Sequence, residues 1–119
     1  MITPRVRILL GLLLATFVLW AAGPGFTSAR SLNDHFQKHG SEFGKITKAE
    51  YLEMAQSLRD AKAGGDVLEA RRPADRVITR FHKKKGWFLA FNENGRIRTF
   101  FKPNDGERYF RRQASRPPN

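Results

Sequence analysis

The sequence predicts an α+β domain in which two N-terminal helices pack on one face of a four-stranded antiparallel β-meander, preceded by a signal peptide. Apolar residues recur at helical spacing between residues 32 and 61, whereas polar and apolar residues alternate in short runs from residue 76 onward. Connections of hairpin length separate these runs, so neighbouring strands pair most simply in chain order. Because helices and strands occupy separate parts of the chain, the pattern is typical of the α+β class.

Residues 1–29 have the layout of a secretory signal. Two arginines near the start are followed by fifteen uncharged residues, Ile8–Ala22, and then by small residues through Ala29. A membrane-spanning helix needs about 20 apolar residues, so this stretch is short for a span. We therefore expect a signal cleaved after Gly23 or Ala29 and a secreted or periplasmic domain. An uncleaved membrane anchor with the domain outside is the alternative.

Two helices are predicted before residue 64. The first begins near Leu32, carries apolar residues at helical spacing and weakens or ends near Gly40. The second runs from Lys48 to about Ala63. It is preceded by Thr47, which forms a capping box with Glu50, and it carries an apolar stripe on one face.

Four strands are predicted in the second half of the chain: Arg76–His82, Trp87–Asn92, Arg96–Lys102 and Arg108–Arg112. The third is bounded by turn signals, Asn94-Gly95 before it and a Pro-Asn-Asp-Gly sequence after it. The segment that contains Arg71-Arg72-Pro73 is expected to be a loop. The folded domain is therefore expected to cover residues 30–113, with residues 114–119 as a disordered tail.

Charge divides the domain into two parts. Residues 30–75 hold 8 basic and 8 acidic residues, whereas residues 76–119 hold 12 basic and 3 acidic ones. Basic residues that alternate with apolar ones on strands form a one-sided patch, which favours nucleic acid or another polyanion as partner. A general excess of solubilising lysine and arginine is the alternative. The chain has no cysteine, which excludes disulfides and thiolate chemistry.

The first predicted helix carries His35, Lys38 and His39 at spacings that place them on one face. An imidazole can act as general acid or base near pH 7, and a neighbouring lysine can pair with phosphate. A solvated helix face is the alternative. Histidines at i and i+4 can also chelate a metal, but the glutamate of a His-Glu-x-x-His motif is missing and the basic surroundings disfavour a cation.

Thr99 is the one hydroxyl on the third predicted strand and lies among cationic side chains. A hydroxyl beside guanidinium and ammonium groups is suited to phosphate oxygens. The cationic residues predicted to bind substrate are Arg80, Arg96, Arg98 and Lys102. Thr99 as an ordinary strand residue, and Tyr109 as a core or rim aromatic, are the alternatives.

These motifs together resemble small ribonuclease toxin domains. The shared pattern is a helix with His-x-x-x-His and Lys38, an amphipathic helix with Tyr51, and a strand that reads Gly-x-Ile-x-Thr-x-Phe-x-Pro from residue 95, with Tyr109 downstream. Such domains form the barnase, EndoU, colicin and RelE-like group at the ends of polymorphic and contact-dependent inhibition toxins. The resemblance covers about residues 32–110.

The resemblance implies a metal-independent endoribonuclease without a cofactor, whose product would be a 2′,3′-cyclic phosphate. Together with the predicted signal, it indicates a secreted toxin, with a scavenging ribonuclease as the alternative. The residues that it marks as catalytic are His35, Lys38, His39, Thr99 and Tyr109. It implies RNA as substrate, with tRNA as one candidate, and an acidic immunity or inhibitor protein as partner; we expect a monomer. The predicted strands lack an obvious barnase-like catalytic glutamate, so histidine is expected to supply both acid and base, His35 or His39 in either role.

Two non-enzymatic functions fit the same composition. One is a secreted basic module that binds nucleic acid or another polyanion through residues 76–116. The other is a binding protein whose basic face meets an acidic protein partner.

Overall fold

A four-stranded antiparallel sheet, with its strands in chain order, is the centre of the computed structural model, which describes residues 23–117. Its strands are β1 (Val67–Arg71), β2 (Ile78–His82), β3 (Trp87–Phe91) and β4 (Ile97–Phe101). The helices are α1 (Ala29–His39), α2 (Lys48–Asp60) and α3 (Glu107–Ala114), and a 3₁₀ turn (Gly40–Phe43) follows α1. The predicted α+β class and four-stranded antiparallel sheet are confirmed.

The predicted signal segment lies almost entirely outside the described residues. No helix among residues 23–117 is long and apolar enough to cross a bilayer.

The first strand of the sheet was missed, and the last predicted strand is a helix. Val67–Arg71, which we expected to be a loop, pairs with β2 over five residues, whereas Arg108–Arg112 lies in α3. Five residues of mixed polarity satisfy either a strand or a helix period, so pattern alone does not decide between them. In α3 the helix is favoured by the Glu107–Arg111 ion pair at i and i+4, and by burial of Phe110 alone.

Helices cover both faces of the sheet, and not one face as the sequence predicts. On the first face α1 and α2 bury a core around Tyr51, Leu89 and Phe100. On the second face α3 inserts Phe110 against Phe81 and neighbouring apolar side chains. Alternation along β3 supplies both cores, because successive side chains point to opposite faces.

The folded domain begins before the expected boundary at Arg30. Phe26 is 3% exposed, packs in the first core and forms a parallel bridge with Ile97 at the free edge of β4. Ser28 caps α1 by accepting a hydrogen bond from the Ser31 N–H at 3.0 Å. Arg59 donates to the backbone carbonyls of Pro24 and Gly95, which ties this segment to α2 and to the β3–β4 turn. The residues around Phe26 are therefore part of the fold.

Arg72 and Asp75 form an ion pair within the segment that connects β1 to β2. The Arg72 guanidinium donates to both Asp75 carboxylate oxygens at 2.9 and 2.8 Å, and the Val77 N–H donates to the same carboxylate at 3.2 Å. Arg72 also donates to the side-chain oxygen of Gln113 on α3 at 2.7 Å. Hydrogen bonding from Arg72, the largest effect, lowers the pKa of Asp75 to about 2.

This ion pair predicts a stability difference that depends on pH. The pKa of an unfolded aspartate is about 3.9, so the folded-state value near 2 gives stability that is complete above about pH 4 and is lost as pH falls toward 2. Asp75→Asn should cost about 0.5–1 kcal/mol at pH 6, a figure reduced for solvent screening of this partly exposed group. Thermal unfolding from pH 7 to 2 should show the deficit closing in the acid range. A deficit that stays constant, or one equal to that of Glu53→Gln, would contradict this account.

Candidate active site

An open cavity of about 460 Å³ lies where α1, β4 and α3 approach one another. It is lined by Asp34, His35, Lys38, His39, Thr99, Phe101 and Tyr109. All five residues predicted as catalytic are among these. Because β4 is an edge strand, α1 on one face of the sheet and α3 on the other can meet around it.

Helical and strand periodicity place these side chains. On α1 the spacing of His35, Lys38 and His39 puts them on one side, while Phe36 packs against Tyr51 in the core. On β4 Phe100 is fully buried in the first core, so Thr99 and Phe101 turn to the opposite face.

Both histidines have one ring nitrogen already engaged. His35 Nδ1 lies 2.8 Å from the carbonyl oxygen of Ser31, and His39 Nδ1 lies 2.7 Å from the Glu42 carboxylate. Since both partners accept hydrogen bonds, each Nδ1 is assigned as the donor, and each Nε2 is left as the position that exchanges a proton with a substrate. The two ring centroids are 6.3 Å apart, so two acid–base groups face one small space.

Glu42 is a site residue that the sequence analysis missed. One of its carboxylate oxygens accepts from His39, and the other accepts from the backbone N–H of Lys102 at 2.8 Å. It therefore links the end of α1 to the end of β4 and holds the His39 ring in one orientation. The three-residue spacing of His39 and Glu42 was visible, but Gly40 between them indicated a helix end, and no pattern predicted the tight 3₁₀ turn.

Gly40 allows this turn to pack closely. A Cβ atom at this position would lie 2.7 Å from the ring of Phe36, a distance that requires displacement of the ring. A side chain here would therefore displace Phe36 from its packing against Tyr51.

Aromatic rings form one wall of the cavity. Phe101 stacks on His39 with 5.0 Å between ring centroids, and Tyr109 meets Phe101 edge to face at 5.2 Å. Tyr109 also packs edge to face on Phe88 at 4.8 Å. These contacts orient both the His39 imidazole and the Tyr109 side chain. Tyr109 is half-buried and lies in the first turn of α3.

Three of the four predicted cationic residues are exposed along or beside β4, although none of them lines the cavity. Arg98, at a bulge in the strand, donates to the side chain of Asn92 at 3.3 Å, and Arg96 donates to the Phe26 carbonyl at 3.4 Å. Lys102 Nζ lies 5.6 Å from the centre of the Phe43 ring. They flank Thr99 along the chain.

Arg80 is located elsewhere. It is 8% exposed, lies on the face of the sheet opposite Thr99, and donates to the carbonyls of Leu58 and Ala61 at the end of α2. Glu69 on β1 is 3.5 Å from the same guanidinium. Alternation along β2 puts Arg80 on the same face as His82, and α2 covers that face. Arg80 therefore caps a helix and is not available at the predicted substrate surface.

Arg80→Ala should affect mainly stability, whereas Arg98→Ala should affect mainly binding. Loss of Arg80 leaves buried carbonyls without donors and should lower the free energy of unfolding by roughly 2–4 kcal/mol. Loss of exposed Arg98 should change stability by less than about 0.5 kcal/mol and, if this surface binds a polyanion as the sequence predicts, should weaken the binding of RNA and reduce its dependence on salt. Denaturant unfolding and RNA titration at several salt concentrations measure the two. Equal loss of stability in both variants would contradict these assignments.

Within residues 23–117, no group of three or more His, Asp or Glu side chains is arranged to hold a metal ion. No protein-family model matches the chain, and no curated protein matches it. The function is therefore inferred from the side chains of the cavity.

Proposed function

We propose that the protein is an endoribonuclease that cleaves RNA by attack of a ribose 2′-hydroxyl and leaves a 2′,3′-cyclic phosphate. The single observation that supports this proposal most is the meeting of two imidazoles, an ammonium group and two hydroxyls in one cavity. This reaction needs a base, an acid and groups that stabilise negative charge on phosphorus. The cavity offers a group for each role.

His39 is proposed as the base. Its Nε2 removes the proton from the 2′-hydroxyl, and the 2′-oxygen then forms a bond to phosphorus. The Glu42 carboxylate keeps Nδ1 as the donor and stabilises the positive ring that results, as a carboxylate does in other histidine bases. Stacking on Phe101 limits rotation of the ring.

His35 is proposed as the acid. The bond from phosphorus to the 5′-oxygen breaks, and protonated His35 gives its Nε2 proton to that oxygen. The Ser31 carbonyl, which only accepts, keeps Nδ1 directed away from the substrate. After product release the proton gained by His39 and the one lost by His35 are exchanged with water, which restores both groups.

The remaining residues act on charge and orientation. Lys38 pairs with the non-bridging oxygens as charge builds on phosphorus, and Thr99 and Tyr109 donate hydrogen bonds to the same group. Arg98 and Lys102, on either side of Thr99 in the chain, attract the RNA backbone. The substrate supplies the nucleophile, so DNA should not be cleaved.

The test is incubation of the purified protein with total RNA in EDTA, beside DNA and an RNA whose 2′-hydroxyls are methylated. We expect cleavage of the unmodified RNA only, with 2′,3′-cyclic phosphate ends detected by mass spectrometry. Cleavage of methylated RNA or DNA would rule out this mechanism. Cleavage of no substrate would rule out the nuclease.

The second candidate is a non-enzymatic module that binds a polyanion. It is favoured by the exposed cations of the second half of the chain, which holds 12 basic and 3 acidic residues. RNA retention that weakens with salt, without any cleavage, would support this function. Secretion and a toxic role belong to the nuclease proposal; a toxin should arrest growth when it is produced inside a cell without residues 1–22.

A further inference from the structure

A second cavity, of about 320 Å³, lies beside the β3–β4 turn. It is lined by Asp75, Arg76, Val77, Asn92, Glu93 and Asn94. None of these residues has a role in the chemistry proposed above, and none was singled out in the sequence as a site residue.

This cavity and the proposed active site lie close together on the face of the sheet that α3 covers. Val77, in its wall, belongs to the core beneath α3, and Ala90, which pairs with Thr99, belongs to the same core. Asn92 is two residues beyond Ala90, a distance of about 7 Å along a strand. Its side chain accepts from Arg98, the neighbour of Thr99.

The cavity combines hydrogen-bond donors and acceptors. The Glu93 carboxylate is 3.1 Å from the guanidinium of Arg76 and 3.1 Å from that of Arg71. Hydrogen bonding from Arg76, followed by its charge, lowers the pKa of Glu93, which keeps the carboxylate ionised as an acceptor. Asn92 adds an amide. Two carboxylates, those of Glu93 and Asp75, disfavour a phosphate, whereas the edge of a nucleobase presents donors and acceptors together.

The backbone of Arg76 is held in an uncommon conformation. Its φ is 64°, and among residues 23–117 it is the one non-glycine residue with positive φ. This conformation costs a residue with a side chain about 1–3 kcal/mol and occurs often at binding sites. Hydrogen bonds on both sides hold it, from Arg76 N–H to the Arg72 carbonyl and from Val77 N–H to Asp75. The turn thereby directs the Arg76 guanidinium to Glu93.

We propose that this cavity is a subsite that binds an unpaired nucleobase next to the phosphodiester cleaved at the His35–His39 site, and that it sets the base preference of the enzyme. The proposal rests on the proposed nuclease function. The phosphate is bound at the His35–His39 site, and the neighbouring base is bound in the cavity beside the β3–β4 turn.

The test uses short oligonucleotides with a single ribose, so that only one bond can be cleaved, and with each of the four bases in turn beside that bond. The wild type should prefer one base by about tenfold or more in kcat/KM, the discrimination expected of a paired hydrogen-bond contact. Glu93→Gln and Asn92→Ala should reduce the preference to within about threefold, mainly through KM, with kcat retained on the poorest substrate. Glu53→Gln, on α2, is the matched control.

Two results on base preference would overturn the subsite while leaving the nuclease intact. Either the wild type shows no preference, or both variants keep the preference of the wild type. Removal of the Glu93 charge could also raise RNA affinity in general, and an equal fall in KM for all four oligonucleotides would count against base recognition.

A binding measurement separates failure of the subsite from failure of the nuclease. Nucleoside 5′-monophosphates are titrated into the wild-type protein, and the backbone amide signals of Asn92, Glu93 and Asn94 are followed by NMR. Shifts that depend on the base and disappear in Glu93→Gln would support the subsite even if no RNA is cleaved. Absence of such shifts for all four nucleotides, in a protein that cleaves no RNA, would overturn it.

Discussion

Replacement of His39 by alanine is expected to lower kcat for RNA cleavage by about 10²–10⁴-fold, while RNA binding stays within about threefold of the wild type. The physical reason is loss of the group proposed to take the 2′-hydroxyl proton. Single-turnover cleavage and binding to RNA with methylated 2′-hydroxyls measure the two effects separately. His82→Ala is the matched control, since the His82 ring accepts a hydrogen bond from the Lys85 N–H and does not line the cavity.

Glu42→Gln tests how His39 is held. The amide oxygen of glutamine can still accept from the Lys102 N–H, so the connection to β4 is kept, but the carboxylate that pairs with His39 Nδ1 is lost. We expect kcat to fall about 10–100-fold, the usual cost of removing a residue that positions a histidine. The pH profile of kcat/KM should change as well, which loss of packing alone would not cause.

Two results would contradict this assignment. Full activity in His39→Ala would place the base elsewhere in the cavity, and wild-type kcat with an unchanged pH profile in Glu42→Gln would remove the positioning role. Near-normal unfolding of both variants is required for either conclusion.

Phe26→Ala is expected to have the largest effect on stability, a loss of about 3–5 kcal/mol in the free energy of unfolding. Phe26 is 3% exposed and packs on Tyr51 and His35, with ring centroids 5.9 and 5.5 Å away. The free energy of unfolding of a small domain is only about 5–15 kcal/mol, so this one change removes a large part of it. Denaturant unfolding of the two proteins is the measurement.

Phe26→Leu is the matched control, because it keeps most of the buried volume and should cost less than about 1.5 kcal/mol. A variant that starts at Arg30 lacks both Phe26 and the Ser28 cap, and it should be at least as unstable as Phe26→Ala. A loss below about 1 kcal/mol in Phe26→Ala would show that the segment before α1 adds little to the core.

The elements that sequence predicted well have strong local signals. The capping box of Thr47 and Glu50 is present as predicted, with both hydrogen bonds formed at the start of α2. β2, β3 and β4 are each runs of five residues, rich in β-branched or aromatic side chains, between turn or loop residues. In contrast, β1 and α3 have mixed polarity without a decisive local signal, and their state depends on their partners: β1 pairs with β2, and α3 covers Phe81 and Phe88, which lie well before it in the chain.

By itself, the sequence determined the local features of this protein: the spacing that puts His35, Lys38 and His39 on one helix face, the alternation that separates Thr99 from Phe100, and the charge imbalance. Tertiary structure alone decided which of these features meet. It brought Tyr109 to the histidines on a helix, joined Glu42 to the Lys102 N–H at the end of β4 and buried Arg80 beneath α2. The reason is physical: side-chain period follows from local backbone geometry, whereas burial and partnership depend on packing between elements far apart in the chain.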